Sequence, residues 1–201
     1  MGSEMCIRDR RVDAFTVDIA ASIQNARRTG LTFAPEAGTW RMRQVINKLI
    51  REEDLYGAVE SAFSQGWRRM KLYFLIGLPT ETDEDTLGIA RMAANCVAIG
   101  KRYTSAASVT VSVGGFVPKP FTPFQWFGQN TLEELNRKVH MLKDEVRKTK
   151  GVKLKWHDPK ATLVTVGASW YNAGCQERLP SSPWSVNQPR MVRSLPCHAH
   201  G

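Results

Sequence analysis

Short apolar runs alternate with longer stretches in which apolar residues recur at intervals of three and four. The runs predict strands at residues 31–34, 71–76, 108–113 and 152–156. The longer stretches predict helices over 40–50, 53–63, 87–99 and 131–148. The run at 71–76 (KLYFLI) is nearly continuous, which is typical of a strand that is covered on both faces.

The alternation of strands and helices predicts an α/β fold with a parallel sheet, because each helix can connect one strand to a parallel neighbour. About three and a half such βα units are present, which are too few to close an eight-stranded barrel. We therefore expect a partial (βα) barrel, a TIM-like half barrel. Capping boxes at Thr82 with Asp85 and at Thr131 with Glu134 indicate where two of the helices begin.

Both ends of the chain depart from this pattern. Residues 1–10 (MGSEMCIRDR) show no periodicity, and we interpret them as a non-native or disordered leader. Composition changes at about Gly167, because residues 168–201 contain four of the ten prolines and no lysine. Proline interrupts regular elements, so this tail is interpreted as disordered or as off-frame sequence. The domain is expected to span residues 11–167.

Composition narrows the class of protein without identifying its function. Hydrophobic residues make up 42% and charged residues 23% of the chain, which are values typical of globular domains. The absence of a long apolar run and of a signal peptide predicts no membrane partner. Four widely separated cysteines predict a reduced, cytoplasmic chain. The net charge of +9 permits an anionic partner but does not define one.

Candidate chemistry lies in the loops after the strands, because the carboxyl ends of parallel strands meet at one edge of the sheet. Glycines in these loops would let the backbone approach a ligand, and Glu36 and Glu81 could accept hydrogen bonds from ribose hydroxyls or an ammonium group. Each loop is also an ordinary strand-to-helix turn, but several on one rim favour a ligand site. The loops are 35–39 (PEAGT), 77–82 (GLPTET), 114–120 (GGFVPKP) and 157–159 (HDP).

The segments FAPEAGTWRMRQVINK, KLYFLIGLPTETDEDTLGIARMA and VTVSVGGFVPKPFTPFQW resemble the radical S-adenosylmethionine superfamily. The resemblance is closest to its cobalamin-binding and methylthiotransferase-like branches, and it spans residues 12–167. It implies the second-half strands of a partial βα barrel, whose ends line the S-adenosylmethionine site. Such enzymes use a [4Fe–4S] cluster to cleave S-adenosylmethionine reductively, and the resulting 5'-deoxyadenosyl radical acts on the substrate.

The resemblance also implies a set of cofactor-binding positions. Glu36 and Thr39 match the Glu and the second Ser of the family's Glu-Ser-Gly-Ser, and segment 77–82 matches its Gly-hydrophobic-Pro-Gly-Glu-Thr, with Thr80 where glycine is usual. Phe116 would be a candidate wall beside the adenine. The implied cofactor-binding residues are Glu36, Gly38, Thr39, Gly77, Pro79, Glu81, Gly115, Phe116 and Val117. No catalytic residue and no metal ligand is implied in this chain.

The family's Cys-x3-Cys-x2-Cys motif is absent from the sequence, and a [4Fe–4S] cluster needs thiolates that converge on one small volume. The resemblance therefore implies a fragment, the C-terminal half of the core domain of an enzyme, and this chain alone is expected to be inactive. Its partner would be the missing N-terminal half. The substrate is left open, with RNA and protein among the possibilities, and so is the use of cobalamin by the parent enzyme.

Two further features have alternative interpretations. The segment from Lys143 to Lys155 is rich in lysine and arginine and precedes Trp156, so a non-catalytic basic α/β module that binds RNA is an alternative function. The simpler interpretation is the solvated outer face of a helix. The pair His157–Asp158 could face a substrate, but we favour Asp158 as a helix N-cap followed by a proline.

Two clusters beyond the predicted strand at 108–113 also allow alternative interpretations. The aromatic group at 121–127 could shape a substrate pocket or pack a long loop onto the core. The C-terminal Cys197-His198-Ala199-His200 is not interpreted as a native metal site, because it lacks a partner at any usual zinc spacing. Free strand edges and an exposed apolar inner face would also favour self-association of such a fragment.

Overall fold

The computed structural model describes residues 30–161, and the predicted leader, the tail and Cys6, Cys175 and Cys197 lie outside the described residues. Its sheet is entirely parallel, and its strands are neighbours in chain order. The α/β fold is therefore confirmed, and the open sheet is consistent with a partial βα barrel. The strands are β1 (Leu31–Glu36), β2 (Arg69–Ile76), β3 (Ser108–Gly115) and β4 (Val152–Trp156).

Helices connect successive strands, and their starts follow the capping signals in the sequence. The helices are α1 (Trp40–Val45), α2 (Glu52–Ser64), α3 (Asp83–Lys101) and α4 (Leu132–Arg147). The Thr82–Asp85 capping box forms at the start of α3, as predicted. At the start of α4 the Thr131 hydroxyl accepts a hydrogen bond from the Glu134 N–H at 3.2 Å, but the Glu134 carboxylate pairs with Arg137 instead.

The first helix is shorter than predicted. Residues 40–50 show an apolar stripe, but α1 ends at Val45, and Leu49 is 65% exposed. Asn47 takes a left-handed conformation with φ of 55°, which asparagine tolerates better than most residues and which cannot continue a helix. The helical spacing of Leu49 was therefore misleading, because a local backbone conformation ended the helix before that residue.

The core lies on one side of the sheet, beneath α2, α3 and α4. On β2 the buried residues alternate with less buried ones, so a single face of this strand points toward the helices. That face carries Met70, Leu72, Phe74 and Ile76, which pack with the buried side of β3 and with the apolar stripes of the helices. Cys96 belongs to this core, and burial raises the pKa of its thiol to about 12.

No helix within residues 30–161 packs against most of the opposite face of the sheet, and only at its carboxyl end does Leu75 pack against a smaller cluster that contains Met42 of α1. The prediction of cover on both faces of 71–76 is wrong for the described chain, because Lys71, Tyr73 and Leu75 alternate with the core residues. Because Tyr73 and Leu75 on the second face are also hydrophobic, the sequence of β2 does not show the alternation of buried and less buried positions. The face is also mostly polar, which corrects the expectation of an exposed apolar inner face.

We call this surface the open face and define it by the polar and aromatic residues of its two middle rows, whose side chains alternate with the core positions of their strands. These residues are Thr32, Lys71, Tyr73, Thr110, Ser112, Lys153 and Lys155.

None of the helices within residues 30–161 has the length and apolar character that a membrane span requires.

A pair of leucine substitutions tests both the core and the corrected end of α1. Leu72 is fully buried, so Leu72→Ala should lower the free energy of unfolding by about 3 kcal/mol through lost burial and a residual cavity. Leu49→Ala removes the same atoms from an exposed position and should change stability by less than about 0.5 kcal/mol. Urea unfolding of both variants measures the difference. Equal losses would show that residue 49 is buried after all.

Candidate functional site

The loops after β1, β2 and β3 lie at the same edge of the sheet. In the parallel register Ile76 lies opposite Gly115, and Glu36 lies opposite Phe74, so the carboxyl ends of the three strands are adjacent. The sequence predicted this common rim from the order of strands and helices, and the structure confirms it. The rim therefore brings the predicted loops together, and the roles of their residues depend on local contacts.

The first loop packs directly against α3. A Cβ atom on Gly38 would overlap the backbone of Asp85 and Ile89, and one on Gly88 would lie 2.7 Å from the Gly38 carbonyl oxygen. The two glycines thus allow a backbone-to-backbone contact between the β1–α1 loop and the first turns of the helix. Packing between these two elements explains why position 38 is glycine, without any ligand.

Asp85 fastens this contact with hydrogen bonds from three residues. Its carboxylate accepts one from the Thr39 hydroxyl at 2.5 Å, a short one from the Arg41 guanidinium, and one from the Thr82 hydroxyl at 2.7 Å. Burial raises the pKa of Asp85, but these hydrogen bonds outweigh it and hold that pKa well below its usual range. The Thr39 hydroxyl therefore has partners inside the protein, and cofactor binding by Thr39 stays a prediction. Asp85 has a larger role than the cap that the sequence indicated.

Glu81 turns inward and holds the second loop together. Its side chain is only 3% exposed, and its carboxylate accepts hydrogen bonds from the Gly77 and Leu78 N–H groups and, at 2.8 Å, from the Thr86 hydroxyl. The Lys138 ammonium lies 3.5 Å away and is also buried. Burial raises the pKa of Glu81, and Lys138 opposes that effect. Cofactor binding by Glu81 stays a prediction, since both carboxylate oxygens already have partners.

At the remaining predicted positions of the second loop, the backbone conformation determines which residue fits. Gly77 has φ of 76°, and a Cβ atom there would lie 3.0 Å from the Leu135 side chain, so both conformation and space require glycine. Pro79 is buried in the same turn. Thr80, which stands where the family has glycine, has φ of 65° and thus takes the left-handed conformation that glycine would favour.

Phe116 belongs to a small second core at the carboxyl edge, which also contains Ala37, Met42 and Leu78. Its ring is 7% exposed and packs edge-to-face on Phe124 at a centroid distance of 6.2 Å. The structure therefore places Phe116 in packing, and this position does not offer a free ring face to an adenine. Gly115 and Val117 beside it are half-buried.

The aromatic residues of the β3–α4 loop do not share one environment. Phe124 packs against the second core, whereas Phe121, Trp126 and Phe127 are exposed. The packing interpretation thus holds for Phe124 and for Phe127, whose ring packs edge-to-face on Phe124 at a centroid distance of 5.7 Å.

Glu36 is the predicted acid that stays accessible at the rim. It ends β1 at an irregularity in the strand pairing and has φ of 68°. Its carboxylate lies 3.6 Å from the Lys48 ammonium, and about a third of the side chain is exposed. Because part of its side chain is exposed at the end of β1, the carboxylate can reach a ligand at the carboxyl edge.

Below the rim, the strand register arranges the open face in rows. Lys71, Thr110 and Lys153 lie side by side on β2, β3 and β4, and Tyr73, Ser112 and Lys155 form the next row toward the carboxyl edge. Leu75, which follows on β2, packs against the second core instead. The face therefore changes from polar to apolar as the strands approach their carboxyl ends.

His157 and Asp158 separate at the end of β4. Asp158 accepts a hydrogen bond from the Lys160 N–H at 2.9 Å, so the N-cap interpretation is confirmed. The His157 N–H donates to the Val113 carbonyl at 3.0 Å, and its ring lies near Gly114. The two residues are neighbours in the sequence but have different surroundings, because the His157 backbone bonds to β3 whereas Asp158 caps the turn that follows.

The basic segment from Lys143 to Lys155 does not form one surface. Arg147 and Lys148 pair with acids of their own helix, and Lys143 lies over the Trp156 ring at 5.7 Å on the helix side of β4. Lys153 and Lys155 lie on the other side, on the open face. The RNA-binding alternative stays a hypothesis, without a continuous basic surface in residues 143–155 to support it.

The described residues do not fit a [4Fe–4S] cluster. Cys96 is the cysteine within residues 30–161, and it is buried in the core with a thiol whose pKa is raised to about 12. No group of three or more His, Cys, Asp or Glu side chains in this part of the chain could hold a metal ion. An iron–sulfur cluster would need ligands from elsewhere.

The chain is similar in part to a known protein. A stretch of 95 residues is 41% identical to an uncharacterized protein of Methanocaldococcus jannaschii. The match covers 47% of this chain and 20% of that protein, so the chain corresponds to about one fifth of its relative's length. None of the models of protein families that were compared with the chain matches it.

The glycine contact can be tested with a third glycine as the control. Gly38→Ala and Gly88→Ala should each lower the free energy of unfolding by about 2–4 kcal/mol, because a methyl group would meet backbone atoms that cannot move aside. Gly57 lies in α2 with open space around it, so Gly57→Ala should raise stability by about 0.5–1 kcal/mol. Chemical denaturation reports all three. A neutral Gly38→Ala would contradict the contact.

The pKa of Asp85 makes a prediction about stability at acid pH. Because the folded-state pKa is lower than the ordinary value of 3.8, the ionised carboxylate stabilises the folded protein. This contribution is fully present above about pH 5 and is lost as the pH falls through 3.8 toward the folded-state pKa. Asp85→Asn should therefore lower the free energy of unfolding by about 2 kcal/mol at pH 7, and by less as the pH falls.

Asp144→Asn is the control for this experiment, because Asp144 is exposed and pairs only with Arg147 of its own helix. It should change stability by less than about 0.5 kcal/mol at any pH, as is usual for a surface ion pair. Thermal unfolding of both variants and the wild type between about pH 3 and pH 7 gives the comparison. A difference between Asp85→Asn and wild type that does not change with pH would contradict the electrostatic explanation.

Proposed function

We propose that residues 30–161 are part of the core domain of a radical S-adenosylmethionine enzyme and contribute one side of its nucleoside site. The observation that supports this proposal best is the common rim at the carboxyl edge next to a polar open face. Parallel sheets are normally covered on both faces. A polar face that no helix within residues 30–161 covers suits the interior of a half barrel that receives a ligand, and it does not suit an independently buried sheet.

The positions of the two sequence motifs also support a nucleoside site at this rim. The loops that resemble the family's two strand-end motifs, 36–39 and 77–82, are neighbours at this rim. Their internal contacts give several motif residues a reason to recur, since Gly38, Gly77 and Glu81 shape the loops. Loops shaped in this way would present backbone groups and Glu36 to the ligand.

The proposal assigns roles to the chain's own groups only. Glu36 would accept hydrogen bonds from the ribose hydroxyls or the ammonium group of S-adenosylmethionine, and its negative charge would favour the positively charged sulfonium compound. Gly115 would let the ligand approach the end of β3. The reductive cleavage itself belongs to the iron–sulfur cluster, whose ligands are not among the described residues.

Binding of S-adenosylmethionine is the direct test. Titration calorimetry with the full chain should detect binding, and Glu36→Gln should weaken it about tenfold through loss of a charged hydrogen bond. Glu133→Gln is the matched control, because it removes the same charge from an exposed position on α4. It should leave the affinity unchanged within about twofold.

Two outcomes would contradict the proposal. One is the absence of any binding by a chain that circular dichroism shows to be folded. The other is equal weakening by both substitutions, since a non-specific charge effect would explain that result. The gene gives an independent test, because the proposal expects the codons upstream of this segment to specify Cys-x3-Cys-x2-Cys.

A further inference from the structure

The open face carries more positive charge than its surroundings neutralise. Lys153 and Lys155 are exposed, and no carboxylate of residues 30–161 lies within ion-pair distance of either. Of the seven residues that define this face, none is an acid. Glu36, the acid at the carboxyl end of β1, already pairs with Lys48. A surface of this composition has a charge imbalance that an anion would relieve.

The strand register determines how these lysines are spaced. Lys71 and Lys153 lie in one row on either side of Thr110, so about two strand spacings, or roughly 10 Å, separate their Cα atoms. Lys155 is two residues further along β4, at about 7 Å from Lys153. Lysine side chains are long enough to bring ammonium groups at these positions over the same patch of β3.

The centre of that patch offers a hydroxyl group. Thr110 lies on β3 between the lysine-bearing strands and is half-buried, whereas Ser112 in the next row is buried. The Lys71 ammonium donates to the Tyr73 hydroxyl and lies 4.2 Å from the centre of its ring. This contact holds the ammonium of Lys71 close to the sheet, so one of the cations is already positioned before a ligand arrives.

We propose that this patch binds the phosphate group of a small phosphomonoester substrate, between Lys71, Lys153 and Lys155 and above the hydroxyl of Thr110. The inference rests on the proposed function in one respect, because it takes the open face as the substrate side of the nucleoside site. A phosphate dianion matches several ammonium groups and hydroxyl donors better than a single carboxylate does. The compact arrangement favours one phosphate group over a polynucleotide backbone, which needs an extended basic track.

The test uses the full chain and inorganic phosphate as the probe. Two-dimensional NMR should show the amide signals of Thr110 and Ser112 shifting on titration, with a single dissociation constant. The double variant Lys153→Gln/Lys155→Gln should weaken phosphate binding at least tenfold. Thr110→Val should weaken it about threefold, because it removes one hydrogen bond at nearly unchanged side-chain volume.

A charge-matched double variant separates a site from general attraction. Lys101→Gln/Lys143→Gln removes the same two charges from α3 and α4, on the other side of the sheet, and should leave the affinity within about twofold of wild type. Lys153→Arg/Lys155→Arg keeps the charge and should retain most of the binding. Thermal unfolding checks that every variant is folded.

Three results would overturn the proposal. These are equal weakening by the two glutamine pairs, no shift of the β3 amides at saturating phosphate, and tighter binding of a single-stranded oligonucleotide that depends on the same lysines. The first two exclude a phosphate site, and the third assigns the patch to a nucleic acid.

Titration of S-adenosylmethionine into the same variants distinguishes this inference from the proposed function. Lys153→Gln/Lys155→Gln should still bind S-adenosylmethionine. If phosphate binds as expected and S-adenosylmethionine does not bind even to the wild type, the nucleoside site is wrong and the anion site stands. If S-adenosylmethionine binds and phosphate does not, the anion site is wrong and the nucleoside site stands.

Discussion

The placement of every long helix on one side of a parallel sheet is the constraint on which the rest of this structure depends. Right-handed crossovers between neighbouring parallel strands put successive helices on the same face. Because the strands follow chain order, α2, α3 and α4 bury one face together, and the other face is left to the polar alternation of β2, β3 and β4. The same order places all the strand ends at one edge. Rim, core and open face are thus consequences of a single topological rule.

Acidic side chains at the rim illustrate how folding requirements and binding motifs overlap. Asp85 and Glu81 are four residues apart and both side chains are buried, yet the pKa of Asp85 is lowered and that of Glu81 is raised. Asp85 is surrounded by donors that stabilise its charge, whereas Glu81 depends on a single buried lysine and a few neutral donors. Both carboxylates fix loop backbones against helices. A motif residue can therefore be required for the shape of a site while it never contacts the ligand.

The sequence predicted the strands and their order well, because apolar runs and capping residues act locally. It also predicted the common rim, since that follows from the order of elements alone. It did not predict that Phe116 is buried in a second core or that Glu81 faces inward, because both depend on contacts between distant segments. In the sequence, Lys143, Lys153 and Lys155 belong to one basic stretch. The register of β4 shows that Lys153 and Lys155 lie on the open face, whereas Lys143 lies on the helix side. The end of α1 was missed because a left-handed Asn47 has no signal in the apolar stripe.

The contact between Gly38 and Gly88 has a mechanical consequence. Without side chains between them, the β1–α1 loop and α3 meet through backbone atoms, and Asp85 ties the same two elements together. Close-packed backbone has little compliance, so a displacement of one element must carry the other with it. Any ligand that presses on the first loop would therefore transmit its force along α3, which runs behind β2 and β3. The β1–α1 loop and α3 should therefore move as one rigid unit, and α3 packs beneath the strands that carry the open face.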